Sequence, residues 1–166
     1  SWLYSIDQGA TTVWERWNSY TVDKGFGPIE MNSFNHYAYG AVGEWLYRFV
    51  VGIEADERHP GFKHIILQPT PDFRIALPKG QERITSASYA SNYGDIVSEW
   101  SFESDDATLY NVTVPANSTA TLYLPAGTSS SIYEGEIEAE KSEGVSFKGF
   151  HAGKAVYELG SGSYHF

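Results

Sequence analysis

A carboxylate between two indoles and beside a guanidinium is the strongest candidate for chemistry in this 166-residue sequence. The segment reads Trp14-Glu15-Arg16-Trp17. A glutamate between flat apolar rings can bind a water molecule or a sugar hydroxyl while the rings hold a sugar. The alternative is a surface ion pair of Glu15 and Arg16 with both tryptophans in the core. Residue types alone favour that alternative, because ion pairs are common and perturbed sites are rare.

His36 is the second candidate, and it lies beside Asn35, Tyr37 and Tyr39 at the start of a predicted helix. The positive end of a helix dipole disfavours imidazolium, so we expect a neutral ring that donates and accepts hydrogen bonds. Polar-tipped side chains of this kind line carbohydrate clefts. The alternative role for His36 is that of a capping or core residue, which residue type alone favours.

Metal ions, cofactors and phosphate groups find little support in the sequence. The chain has no cysteine, which excludes disulfides, thiolate zinc sites and cysteine nucleophiles. His59 and His64 stand five residues apart, with no third ligand at a recognisable spacing. Residues 25–28 read Gly-Phe-Gly-Pro, with proline where a phosphate-binding loop needs another residue. We therefore expect neither a metal site nor a cofactor.

Composition favours a neutral carbohydrate as the ligand. Eleven basic and 21 acidic residues give a formal net charge of -10, which argues against nucleic acid as a partner. No uncharged apolar stretch reaches about 18 residues, so no membrane span is predicted. The 5 Trp, 12 Tyr and 9 Phe exceed what a core of this size needs, and such rings stack well on sugars. The N-terminus lacks Met and a basic start, which predicts a piece of a longer chain.

The elements that position these residues change character near residue 58. Before it, apolar residues at three- and four-residue spacing predict one helix over residues 35–51, with Gly52 as its C-cap. Residues 9–34 have no steady period and predict a long functional loop. After residue 58, runs in which apolar and polar residues alternate are separated by turn residues, which predicts an antiparallel β-sandwich. The predicted strands are residues 64–67, 84–93, 96–102, 109–114, 120–124, 131–137, 145–147 and 155–159.

Three blocks of sequence follow one another in a characteristic order. Residues 9–17 read Gly-Ala-Thr-Thr-Val-Trp-Glu-Arg-Trp. Residues 33–47 read Ser-Phe-Asn-His-Tyr-Ala-Tyr-Gly-Ala-Val-Gly-Glu-Trp-Leu-Tyr, and residues 60–69 read Pro-Gly-Phe-Lys-His-Ile-Ile-Leu-Gln-Pro. In combination, these blocks resemble the C-terminal end of the bacterial α-L-rhamnosidases of glycoside hydrolase family 78.

The resemblance implies a fold and a mechanism. The family's catalytic domain is an (α/α)6 barrel followed by a β-sandwich. Residues 1–58 are therefore expected to be the C-terminal end of the α-helical barrel, and residues 59–166 the β-sandwich domain. The family removes terminal α-L-rhamnose with inversion, using a general acid and a general base. Glu15 matches the general base, whereas the family's general acid lies in an upstream acidic segment that this sequence lacks.

The resemblance also implies how substrate is held. His36 matches a residue that contacts rhamnose, and Trp14, Trp17 and Asn35 are expected to bind the sugar with it. The expected partners are rhamnose-containing glycosides or polysaccharides. We also expect self-association through an exposed apolar stripe, which consists of Val42, Trp45, Leu46 and Phe49. The rival hypothesis is a non-catalytic carbohydrate-binding or structural β-sandwich module, which leaves the ordered blocks unexplained. A reading frame that begins far upstream would favour the enzyme.

Overall fold

A computed structural model describes residues 1–72, 84–102, 108–127 and 132–166 of the chain. Contacts within it divide the chain into two units, Ser1–Trp45 and Leu46–Phe166. The division falls inside a helical segment, and the change from helical to alternating spacing near residue 58 lies within the second unit. Each unit is described separately below.

The first unit consists mostly of loops, as the lack of a steady apolar period in residues 9–34 predicts. It begins with helix α1 (Trp2–Asp7), where the Ser1 hydroxyl accepts a hydrogen bond from the Tyr4 N–H at 3.4 Å. Such an N-cap satisfies one of the free N–H groups of the first turn. The other elements are a hairpin of β1 (Tyr20–Thr21) and β2 (Gly25–Phe26), 3-10 turns at Ile29–Met31 and Ala38–Ala41, and one α-helical turn, α2 (Val42–Trp45).

The helix predicted over residues 35–51 starts later and is not a regular α-helix. The 3-10 turn at Ala38–Ala41 leads into α2, and Leu46–Val51 continues as π-helical turns. Gly40 and Gly43 lie in the first part, where each glycine weakens a helix by about 1 kcal/mol relative to alanine. The predicted end at Gly52 is confirmed, because this residue has φ 84°.

The second unit contains two main sheets and a small hairpin. One sheet has five strands in the order β11-β12-β8-β4-β3, and the other has four in the order β13-β7-β6-β5. The strands are β3 (Ile53–Ala55), β4 (His64–Leu67), β5 (Ile84–Ser91), β6 (Gly94–Phe102), β7 (Thr108–Val114), β8 (Thr119–Pro125), β9 (Tyr133–Glu134), β10 (Ile137–Glu138), β11 (Val145–His151), β12 (Lys154–Leu159) and β13 (Gly162–His165).

One apolar core joins the inner faces of the two sheets. Ile65 and Leu67 of β4 are completely buried, whereas the alternate residues His64 and Ile66 are half-buried, as a strand with one face on the core requires. Val112, Val114 and Trp100 of the four-stranded sheet belong to the same cluster. Burial of one large aliphatic side chain contributes about 1.5–3 kcal/mol, so this shared core is what holds the sandwich together.

The predicted antiparallel sandwich is confirmed, with differences in individual strands. β4 has the predicted bounds, but it pairs in parallel with β8, so the five-stranded sheet is mixed. The predicted strand 131–137, whose first residue lies outside the described part, is instead the β9–β10 hairpin, because Gly135 (φ 60°) turns the chain. β13, which begins at Gly162, was not among the predicted strands. After residue 84, no described helix exceeds three residues.

Hydrogen bonds from the four-stranded sheet satisfy the end of the helical segment. The Trp100 indole N–H donates to the Val50 carbonyl at 2.9 Å, and the Ser98 hydroxyl donates to the Val51 carbonyl at 2.7 Å. The last carbonyls of a helix have no intrahelical partner, and leaving them buried and unpaired is costly. The Tyr110 hydroxyl lies 2.9 Å from Ser98, and burial raises its pKa far above the usual range.

Gly52 is a position at which a side chain has no room. A Cβ atom there would lie 2.3 Å from the Gln68 carbonyl carbon and the Pro69 nitrogen. The left-handed conformation costs a non-glycine residue about 1–3 kcal/mol, and forced overpacking costs about 1–3 kcal/mol more. We therefore expect Gly52→Ala to lower the free energy of unfolding by about 2–6 kcal/mol in urea titrations.

Gly153→Ala is the matched control for this prediction. Gly153 also has a positive φ, 74°, but a Cβ there would meet no atom within 4 Å. The free energy of unfolding of Gly153→Ala should fall only by the cost of the backbone strain, about 1–2 kcal/mol. Equal losses in the two variants would contradict the steric argument at Gly52.

Candidate active site

Hydrogen bonds between two loop segments bring the first two sequence blocks together within the first unit. The Glu15 N–H donates to the Ser33 carbonyl at 2.9 Å, and the His36 N–H donates to the Val13 carbonyl at 2.8 Å. The Thr12 hydroxyl donates to the Phe34 carbonyl. These bonds hold the Glu15 and His36 backbones side by side, although 21 positions separate them in the sequence.

One oxygen of the Glu15 carboxylate is held by the second loop segment. Its Oε2 accepts a hydrogen bond from the Ser33 N–H at 2.7 Å, and the side chain is half-buried. Among the residues that the structure describes, none hydrogen-bonds Oε1, and the Glu15–Arg16 ion pair of the alternative interpretation does not form. Instead, Arg16 is in a turn in which its N–H donates to the Ser19 hydroxyl at 3.1 Å. An oriented carboxylate with one open oxygen can take a proton from water.

His36 is fixed in a form that can donate from Nε2. Its Nδ1 accepts a hydrogen bond from the Ala38 N–H at 3.3 Å. A ring nitrogen that accepts carries no proton, so this bond assigns the proton of the neutral ring to Nε2. The imidazole stacks on Tyr37, with ring centroids 5.4 Å apart and planes 9° apart.

The two tryptophans that flank Glu15 have different environments. Trp14 is 7% exposed and contacts Phe34 edge-on, with ring centroids 5.2 Å apart. Trp17 is 40% exposed, stacks on Tyr39 at 4.5 Å and meets Trp2 edge-on at 5.2 Å. Trp17 therefore offers ring surface to a ligand, whereas Trp14 supports the loop from inside.

The other sequence candidates fall outside this loop pair or on its rim. Asn35 is exposed, and its N–H donates to the Ser33 hydroxyl at 3.2 Å. The described ranges contain no cluster of three His, Asp or Glu side chains that could hold a metal ion. No helix in the described ranges is both long and apolar enough to span a bilayer.

Sequence reasoning missed Ser33 and Thr12, which position the candidate residues. Ser33 binds Glu15 through both its N–H and its carbonyl, and its hydroxyl also caps Asn35. A signal was available, since Ser33 opens the second sequence block and Thr12 lies inside the first. Ser33 binds Glu15 through backbone groups, and the Thr12 hydroxyl donates to a backbone carbonyl, so residue types alone did not link either residue to the candidate site.

Two protein-family models, both for domains of bacterial α-L-rhamnosidases, match consecutive parts of the chain. The six-hairpin glycosidase domain matches residues 1–50, and the C-terminal domain matches residues 52–138. The α-L-rhamnosidase of Streptomyces avermitilis is 38% identical over 166 residues, which is 100% of this chain and 14% of that protein. An α-L-rhamnosidase of Formosa agariphila is 44% identical over 132 residues, which is 80% of this chain and 13% of that protein.

Solved structures give the same result for the fold. The crystal structure of the Streptomyces avermitilis α-L-rhamnosidase in complex with L-rhamnose matches 100% of this chain with a TM-score of 0.77 and 38% identity. The α-L-rhamnosidase of Dictyoglumus thermophilum matches 98% with a TM-score of 0.71 and 29% identity. This chain spans only 14% and 16% of those two structures. Because the C-terminal domain model alone matches more than half of its residues, the chain belongs to the bacterial α-L-rhamnosidase family.

Proposed function

We propose that this chain supplies the general base, but not the general acid, of a glycoside hydrolase that removes terminal α-L-rhamnose by inverting hydrolysis. The observation that carries the proposal is the hydrogen bond of 2.7 Å from the Ser33 N–H to one oxygen of the Glu15 carboxylate. Its other oxygen is bound by no described residue and is available for water. Family membership supports the reaction type, and the whole enzyme's activity and substrates are part of the proposal.

The proposed chemistry requires only proton transfer at Glu15. In an inverting enzyme, a base removes a proton from water as that water attacks the anomeric carbon, and an acid protonates the leaving oxygen. The two carboxyl groups then lie about 6.5–9.5 Å apart, so that the water fits between base and sugar. The Ser33 N–H restricts the rotation of the Glu15 carboxylate, which favours one direction for Oε1.

The proposed sugar contacts come from both loop segments. His36 would donate from Nε2 to a sugar hydroxyl, because the Ala38 N–H occupies Nδ1. The half-exposed ring of Trp17 offers an apolar face to the sugar ring. Trp14 and Asn35 complete the proposed set, Trp14 by supporting Glu15 from the buried side and Asn35 from an exposed position on the rim.

The rival function, a non-catalytic carbohydrate-binding or structural sandwich, accounts for less. It explains the strands of the second unit but gives no reason for a six-hairpin domain match over residues 1–50. It also gives no reason for hydrogen bonds that join two distant loop segments at Glu15 and His36.

Glu15→Gln tests the general base. The variant is made in a chimera in which this chain replaces the matching region of the Streptomyces avermitilis enzyme, to which it is 38% identical. Because an amide cannot accept a proton from water, kcat should fall by about 10²–10⁴-fold with KM little changed. Glu30→Gln, at an exposed carboxylate of the same loop region, is the control and should keep normal turnover. Near-normal turnover in Glu15→Gln would refute the assignment.

His36→Ala tests the proposed sugar contact in the same chimera. Loss of a buried hydrogen bond to substrate should weaken rhamnose binding by about 1–3 kcal/mol, seen as a higher KM and inhibition constant for L-rhamnose. His36→Gln retains a donor and should recover part of the affinity. An unchanged inhibition constant in both variants would place His36 outside the sugar site.

The isolated 166-residue chain should not hydrolyse rhamnosides. A base without its acid leaves the departing oxygen unprotonated, so the barrier stays high. The measurement is nitrophenol release from p-nitrophenyl α-L-rhamnoside at high protein concentration. Release that Glu15→Gln abolishes would show that a general acid is present in this chain.

The isolated chain should also self-associate. Leu46 and Phe49 of the apolar stripe are 44% and 48% exposed, and contiguous apolar surface favours association. Light scattering should give a mass above 18.5 kDa that falls toward the monomer in Phe49→Ser. A monomeric wild-type chain would contradict this expectation.

A further inference from the structure

A polar cleft lies on the outer face of the five-stranded sheet, in a part of the chain that the proposed function does not use. Its volume is about 620 Å³, within the size range of small-molecule sites. Its floor includes His64, Thr119 and Thr121, which project from the opposite face to the buried core residues of β4 and β8. Glu158 and Ser146 of the adjacent strands extend the floor.

A turn held by one carboxylate forms the rim of the cleft. Asp56 accepts hydrogen bonds from the Arg58 N–H at 3.0 Å and from its guanidinium at 3.2 and 3.3 Å. The His59 Nδ1 lies 2.9 Å from the carboxylate Oδ2, which also accepts the 3.3 Å bond from the guanidinium. These bonds hold the pKa of Asp56 well below its usual range. The rim is therefore ordered before any ligand binds, and Nε2 of His59 is left available.

The floor of the cleft presents hydroxyl groups that are oriented by an imidazole. His64 Nδ1 lies 2.7 Å from the Thr119 hydroxyl, and His64 Nε2 lies 2.8 Å from the Thr121 hydroxyl. Burial lowers the pKa of His64, which keeps the ring neutral at pH 7. A neutral imidazole donates at one nitrogen and accepts at the other, so one threonine accepts and the other donates. Each hydroxyl keeps capacity for one further partner.

The charges of the cleft are already paired within the protein. Asp56 is balanced by Arg58, and Glu158 lies 2.8 Å from the Lys148 ammonium. An anion or a cation would therefore gain little net attraction, because each charged group has an opposite charge beside it. The remaining polar groups of the cleft are neutral and both donate and accept hydrogen bonds. They match a ligand that is rich in hydroxyl groups, because each hydroxyl can also donate and accept.

We propose that this cleft is a second binding site, separate from Glu15, for a neutral saccharide. The hydroxyls of the ligand would bind Thr119, Thr121 and Ser146 on the floor, with His59 Nε2 accepting a hydrogen bond at the rim. The site requires no catalysis and does not rest on the proposed role of Glu15.

The test is a titration of the whole 166-residue chain, followed through the ring signals of its five histidines by NMR. His59 and His64 report on the cleft, His36 reports on the proposed active site, and the exposed His151 is the internal reference. L-Rhamnose should shift the His59 and His64 signals saturably, with a dissociation constant of about 1–10 mM. Inorganic phosphate and D-glucuronate are the charged comparators and should bind at least tenfold more weakly.

Paired valine variants separate the cleft from general effects. Thr121→Val removes one floor hydroxyl without a large change in volume and should weaken rhamnose binding at the cleft at least tenfold. Thr113→Val is the matched control, because Thr113 makes the same kind of bond, 3.0 Å to the Ser163 hydroxyl, on the other sheet. That variant should bind as the unchanged chain does. Ser146→Ala, at an exposed floor position, provides a second variant should Thr121→Val unfold the domain.

Several results would overturn the proposal. One is the absence of a saturable shift of the His59 and His64 signals up to about 100 mM rhamnose. Another is tighter binding of phosphate or glucuronate than of rhamnose. The third is equal rhamnose binding by Thr121→Val and Thr113→Val. A saturable shift of His36 alone would also overturn it while supporting the Glu15 site. Shifts of His59 and His64 without His36 would support the cleft and leave the Glu15 proposal to the chimera experiments.

Discussion

The buried end of a helical segment is the constraint on which the second unit depends. The carbonyls of Val50 and Val51 have no helical donors, and Trp100 and Ser98 of the four-stranded sheet supply them. Gly52 then connects the helical segment to β3 in a conformation that no side chain tolerates there. As a result, β3 begins immediately and joins the five-stranded sheet, so the helix end is bonded to one sheet and continues into the other. The two family matches, which end at residue 50 and begin at residue 52, meet at this same point.

The loop region works by a different principle, because little of it is buried. Its ordering comes from backbone hydrogen bonds between residues 12–15 and 33–36, with Trp14 and Phe34 packed beneath them. Backbone N–H groups position Glu15 and His36 and leave Oε1 of Glu15 and Nε2 of His36 accessible. Bulkier side-chain partners would block these atoms. A loop of this kind can carry reactive groups that a dense core would have to neutralise.

The sequence predicted the strands well, because period-two alternation records which face is buried. The bounds of β4 follow directly from its pattern, whereas its parallel pairing with β8 depends on a distant strand and leaves no local mark. The stripe over residues 35–51 indicated helical turns but not their type, since 3-10, α and π turns place apolar residues on one side at similar spacings. Glu15 and His36 were identified as candidates by residue type, but their proximity depends on Ser33 and Val13 backbone groups, which no side-chain pattern reveals.

Two carboxylates of the chain, Asp56 and Glu15, differ in the number of hydrogen bonds that they accept. Asp56 accepts bonds from Arg58 and His59 at both oxygens, so its lone pairs are used and its pKa is lowered, which makes it a poor proton acceptor. Glu15 accepts one bond from Ser33. Glu15 and Arg16, which are adjacent, do not form the ion pair of the alternative interpretation. Asp56 and Arg58 do form an ion pair, and there the carboxylate orders a turn. Glu15 keeps an oxygen that no described residue binds, and the proposed general base requires such an oxygen to receive a proton from water.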